Sequence, residues 1–233
     1  MSGYDAVVIG SGPNGLSAAI TLAQTGRRVL VIEGRDRIGG GARTAELTLP
    51  GFQHDVCSAI HPLGVISPFF RSLPLADYGL EWLFPEVSLV HPLDGGRAVA
   101  VTRSVEETAA GLGRDEAAYR RLIGPIVADW QDAVVELMGP LRIPRHLGVY
   151  LENALPFLAP ATWVARTVFR DEAARAVFSG MSGHSMMPLD RPATGAFGML
   201  LSMSAHAAGW PVARGGSQAI SNALAGYLQS LGG

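Results

Sequence analysis

An α/β fold built on a Rossmann-like βαβ unit is predicted by three features of the amino-acid sequence. Tyr4–Gly10 (YDAVVIG) is a short apolar run rich in β-branched residues and closed by glycine, the pattern of a buried strand. Gly15–Gln24 follows as a helix packed on the small residues Ala18, Ala19 and Ala23, with Gly26 at its C-terminal stop. Arg28–Glu33 is a second buried strand. Strand, helix and strand within about 30 residues make a βαβ unit, whose strands are parallel and belong to an open sheet.

Beyond Arg43 the pattern changes. Thr44–Leu49 and Phe52–Asp55 read as short extended pieces joined at Pro50-Gly51. Val87–His91 and Arg97–Thr102 flank Asp94-Gly95-Gly96, a hairpin signal. Ser104 with Glu107 three residues on is a capping box opening a helix. From Asp115 to about Arg175 the chain reads as mostly helical, broken at Pro125, Pro140, Pro144, Pro156 and Pro160, and a last helix is predicted over 217–231. Only two parallel strands are evident, and such sheets are rarely so small. The expectation is therefore an incomplete sheet: a first nucleotide-binding part over 1–67, a mostly helical α+β substrate-side region over 68–209, and a truncated return to the first domain over 210–233.

Composition removes whole classes of chemistry. All 18 basic residues are Arg, against 20 acidic ones, for a net charge of −2. Without Lys there is no Walker A loop, Schiff-base nucleophile or pyridoxal-phosphate anchor. The charge balance gives no footprint for nucleic acid. A single Cys, Cys57, excludes an internal disulfide and a multi-thiolate zinc site. The six His residues lack HExxH or any other compact ligand spacing, so no metal site is expected. The first apolar stretch is broken by glycines, and Gly195–Gly209 is shorter than the roughly 20 residues a membrane span needs. A cytoplasmic protein without a transmembrane segment is expected, with peripheral membrane contact left open.

The chemistry-bearing motif is Gly10-Ser11-Gly12-Pro13-Asn14-Gly15. A GxGxxG alone says little, but here it joins a strand to a helix, and Glu33 closes the second strand 18 residues beyond Gly15. In such a motif Gly10 permits the tight turn, Gly12 lets backbone approach a pyrophosphate, and Gly15 lets helix and strand pack closely. The positive end of the helix holds the phosphates, and Glu33 accepts hydrogen bonds from a ribose diol. Gly34, Arg35, Gly39, Gly40, Gly41, Ala42 and Arg43 follow at once. The adjacent glycines let backbone approach a bulky ligand, and Arg35, Arg37 and Arg43 are either contacts to phosphate or other ligand oxygens or a solvated charged face.

The run GSGPNGLSAA, VIEGRDRIGGGART, GFQHDVCSAIHPLG resembles the phytoene-desaturase-like branch of the flavin amine-oxidase superfamily, densely over 4–64 and again at Trp210–Ile220. The resemblance implies FAD as cofactor, a second flavin-side glycine pair at Gly215-Gly216, and an N-terminal portion of a protein about twice as long. It also implies that Phe52–Gly64 passes close to the flavin, with Ser58 and His61 as candidate catalytic groups beside a structural alternative, and with His54 or Asp55 shaping the site. Gly41 departs from one common version of the motif, which has Arg directly after the glycine pair. Cys57 is expected as a small buried hydrophobe rather than a flavin attachment point. His184, His206 and the methionines Met181, Met186, Met187, Met199 and Met203 are expected mostly in the core. Gly215–Ala219 falls one residue short of a GxSxG elbow.

The function expected from this pattern is FAD-dependent oxidation, with hydride abstraction from a small apolar, isoprenoid or carotenoid-like substrate. An NAD-dependent dehydrogenase and a catalytically inactive, truncated nucleotide-binding module remain as alternatives.

Overall fold

The computed structural model describes residues 3–139 and 154–233, which divide into two compact units. The first comprises the described residues up to His61 together with Phe69–Leu83 and Pro211–Gly233. The second comprises Pro62–Pro68 and the described residues of Phe84–Trp210. The segment 69–83, assigned to the helical region on sequence, thus packs in the first unit. Phe69, Phe70, Leu73, Leu75, Leu80 and Trp82 join the core that contains the βαβ unit.

In the first unit, β1 (Ala6–Ile9) and β2 (Val29–Ile32) pair in parallel, in register from Ala6 opposite Val29 to Ile9 opposite Ile32. Between them runs α1 (Pro13–Ala23), with Gly12 as N-cap and Pro13 at the first helical position, where its missing N–H costs nothing. Leu16, Ala19, Ile20 and Ala23 bury the inner stripe of α1 against Val29 and against Ile220, Ala223, Leu224 and Leu228 of the last helix, Gln218–Ser230. Small side chains on α1 are what allow this close approach. The extended pieces at 44–49 and 52–55 appear as β3 (Thr44–Glu46) and β4 (Gln53–Asp55), which pair antiparallel. Trp82–Leu83 pairs antiparallel with Val212–Ala213.

Every sheet among the described residues has two strands. Val7 and Ile9 of β1 and Ile32 of β2 are exposed, Ile9 at 85%, so one apolar face of the parallel pair is uncovered.

The second unit is a helical core with one hairpin, Val87–Pro92 against Ala98–Thr102. Helices Glu116–Ala128, Ala161–Val168, Glu172–Gly183 and Thr194–Ala207 surround Tyr119, Ile123, Phe169, Phe178, Met199 and Met203. Ser104 Oγ accepts the Glu107 N–H at 3.1 Å, but the Glu107 carboxylate turns to Thr102 Oγ1 instead of closing the capping box.

Several sequence expectations are corrected here. Pro125 lies inside the helix Glu116–Ala128 rather than breaking it, because Leu122, Ile123 and Ile126 around it are held in the core. Met186 and Met187 are exposed, on the turn after Glu172–Gly183, whereas Met181, Met199 and Met203 are buried. Pro140 and Pro144 lie outside the described residues. Among the described residues no helix is long and apolar enough to cross a membrane.

Candidate functional site

The site is assembled by two glycine turns that touch. Gly10 has a φ of +97°, which the turn from β1 into α1 requires. Gly15 stands so close to that turn that a Cβ there would lie 2.1 Å from the Gly10 carbonyl oxygen. Gly40 also approaches Gly12 closely, since a Cβ on Gly40 would sit 3.1 Å from the Gly12 Cα. The Gly39 N–H donates to the Ser11 carbonyl at 3.0 Å and locks the turns together. No side chain caps the N-terminus of α1, so its first-turn N–H groups and its dipole face outward beside the two turns.

Glu33 sits at the end of β2 beside this seam. Its carboxylate accepts from the Ser11 N–H at 2.9 Å, from Ser11 Oγ at 2.6 Å and from the Arg35 N–H at 3.0 Å. The Ser11 hydroxyl and these N–H groups hold the Glu33 carboxyl at about 2, well below the ordinary carboxylate range. A cleft beside it is lined by Ser11, Leu16, Glu33, Ile38, Ala225 and Gln229.

The sign of this shift gives a prediction. Because the folded pKa lies below the unfolded value of about 4.3, the contribution of Glu33 is complete above that pH. It is lost as pH falls toward 2. The stability that Glu33 lends to the first unit is therefore expected to be flat from pH 5 to 9 and to fall only in acid, as urea denaturation followed against pH would show.

The second half of the site comes from residues far apart in sequence. Gly215 and Gly216 both have positive φ and lead into the last helix. A Cβ on Gly216 would lie 2.3 Å from Thr44 Oγ1, so only glycine lets this turn seat on β3. Asp55 Oδ1 accepts from the Ser217 N–H and from Thr44 Oγ1, both at 2.7 Å, and Thr44 Oγ1 accepts from the Gln218 N–H at 3.0 Å. Asp55 and Thr44 thereby cap the last helix, the carboxylate lying at the positive end of its dipole. From that helix, Gln218 Nε2 donates to the Ile38 carbonyl at 3.2 Å and Ser221 Oγ to the Ala42 carbonyl at 3.1 Å. The 38–42 glycine loop is thus clamped by helix side chains that the linear sequence does not single out. Their only linear signal is that they directly follow the 215–216 pair.

His61 and Ser58 are brought together. His61 Nε2 lies 2.8 Å from Ser217 Oγ, which itself donates to the Ser58 carbonyl. The Ser58 N–H donates to the Gly41 carbonyl at 3.2 Å, and the His61 ring lies 5.9 Å from that of Trp82. Burial pushes the His61 pKa below its ordinary value, against the opposing charge of Asp55. Arg43 Nε is used internally, on the Gly40 carbonyl at 2.7 Å. His54 is paired with Thr48.

Cys57 is exposed, not buried as expected. It lies on the loop after β4, near Gly41, where no element among the described residues covers it. His206 is a core histidine, 2.7 Å from the Tyr119 hydroxyl, and His184 hangs on the carbonyls of Gly180 and Met181.

Residues 8–73 match the NAD(P)-binding Rossmann-like domain. The relatives that the chain matches include a dehydrogenase, a reductase and an oxidase. A limonene dehydrogenase polypeptide of Castellaniella defragrans is 31% identical over 157 residues, 65% of this chain and 28% of that protein. All-trans-retinol 13,14-reductase of Danio rerio is 48% identical over 63 residues, 27% of this chain and 10% of that one. Among solved structures, a variant of putrescine oxidase superposes with a TM-score of 0.59 at 21% identity. It covers 98% of this chain, which spans 50% of that one. The chain thus spans half or less of the length of these relatives, and the structural likeness speaks to the fold.

Proposed function

We propose that this chain carries the dinucleotide-binding part of an FAD-dependent oxidoreductase of the phytoene-desaturase-like branch, acting in the cytoplasm on a small apolar, isoprenoid-like substrate. The observation that carries the cofactor assignment is the contact of the two glycine turns, Gly12 against Gly40, at the uncapped end of α1 with the Glu33 carboxylate alongside. Backbone that close, without Cβ atoms, is a cradle for a pyrophosphate.

On this reading the turn Gly10, Ser11, Gly12, Pro13, Asn14 and Gly15 holds the pyrophosphate, and Glu33 exchanges its bond from Ser11 Oγ for the ribose hydroxyls. The backbone of Gly39, Gly40, Gly41 and Ala42 borders the middle of the cofactor. Gly215 and Gly216 border its far end, beside Ser58 and His61. When bound, FAD supplies the redox chemistry, accepting a hydride equivalent from substrate. The protein's part is to bind, orient and exclude water. Two relatives are named for limonene and retinol, both apolar isoprenoids, which supports the substrate class.

Purified chain incubated with FAD and then desalted is expected to keep the visible flavin bands. A colourless chain that binds NAD instead would overturn the flavin assignment in favour of a nicotinamide-dependent dehydrogenase.

A further inference from the structure

The hydrogen-bond directions around His61 fix more than its position. Ser217 Oγ has a single hydrogen, and that hydrogen goes to the Ser58 carbonyl, which can only accept. The 2.8 Å contact between Ser217 Oγ and His61 Nε2 then requires the imidazole to donate. With Nε2 protonated in the neutral ring, Nδ1 carries a lone pair. No hydrogen-bond partner meets Nδ1 among the described residues, although the ring is half-buried against Trp82.

The surroundings keep this arrangement in place. The His61 N–H donates to the Pro211 carbonyl at 3.0 Å, and Asp55, which holds Ser217 by its N–H, is the charged group that faces the ring. The hydrogen bonds also give an order along the site. Glu33 and Ser11 stand at one end, Gly39 is bonded to Ser11, Gly41 is bonded to Ser58, and His61 lies beyond them with Ser217. A dinucleotide whose ribose lies on Glu33 therefore meets His61 with its other half.

We propose that Ser217 is a positioning residue that locks His61 in the Nε2-protonated tautomer, so that His61 Nδ1 accepts a hydrogen bond from an O–H or N–H of FAD outside its ADP moiety. This rests on the flavin assignment above, and it gives His61 the role of orienting the reactive half of the cofactor.

The test is ¹⁵N NMR of the histidine rings, first in the free chain and then with FAD or ADP added. The free chain should show His61 as a single tautomer with Nδ1 unprotonated, and FAD should shift Nδ1 while ADP leaves it in place. Both nucleotides should move the Ser11 and Gly12 amides. In S217A the single-tautomer signature should be lost. In H61F, FAD affinity should fall by up to about tenfold, the size of one hydrogen bond, with ADP affinity unchanged.

A protonated Nδ1 in the free wild-type chain overturns the proposal without reliance on any variant. If FAD moves the Ser11 and Gly12 amides but not Nδ1, the proposal fails and the flavin assignment stands. If FAD moves neither, both fail.

Discussion

Gly15→Ala is expected to destabilise the first unit by about 3 kcal/mol, the upper range for overpacking, and to abolish FAD retention. The new Cβ would lie 2.1 Å from the Gly10 carbonyl oxygen and 3.1 Å from its carbon, and both are backbone atoms. No side chain can rotate to make room. The alternatives are to lift α1 off the end of β1 or to distort a turn that already holds Gly10 at a φ of +97°. Lifting α1 would break its contacts through Leu16, Ala19 and Ile20, which are 2% exposed or less.

Gly12→Ala is the informative partner. There φ is −67°, a conformation any residue adopts, and a Cβ would meet only Gly40 Cα at an ordinary 3.7 Å. This variant should unfold at the same urea concentration as the parent yet lose FAD, because the Cβ fills the space the pyrophosphate backbone approach needs. Equal loss of stability in both variants would show that Gly12 serves packing and not ligand approach.

The legible part of this molecule is the part written in consecutive residues. β1, α1 and β2 follow from a β-branched run, a glycine turn and a small-residue stripe, the hairpin Val87–Pro92 with Ala98–Thr102 follows from Asp94-Gly95-Gly96, and at Pro50-Gly51 two short extended pieces were legible but not their pairing. The contact that clamps the two halves of the site was not legible. Asp55 to Ser217 spans 162 residues and Thr44 to Gln218 spans 174. Nothing local in QHDVCS or ARTAE marks either side chain as the cap of a helix that begins at Gln218. The same limit explains the 69–83 segment, whose leucines are apolar enough for either core. Cys57 illustrates a different failure: residue type predicts burial only when some element is available to cover the position.

The second large effect is expected in the helical unit, at Asp115. This carboxylate is 1% exposed and accepts three close contacts from two backbone donors: the Arg170 N–H on both oxygens at 2.9 Å and the Asp171 N–H at 2.6 Å. It caps the chain where Phe169 enters the core, immediately before the helix Glu172–Gly183. Asp171 answers by accepting from the Arg114 N–H at 3.3 Å and from its guanidinium at 3.0 Å, so the two turns hold each other.

Asp115→Ala leaves two part-buried N–H groups without their acceptor, at about 1–3 kcal/mol each, for an expected loss of about 3 kcal/mol. In a chain of this size that corresponds to a melting temperature lower by about 6 to 12 °C. Asp115→Asn should lose about 2 kcal/mol, because one amide oxygen still accepts while the NH₂ faces a donor. Asp171→Ala should lose clearly less than either Asp115 variant, since its ion pair with Arg114 is largely exposed on the arginine side. Urea denaturation of the three variants orders them, and an Asp171 effect equal to that of Asp115 would show that the exposed ion pair, rather than the buried carboxylate, holds the two turns together.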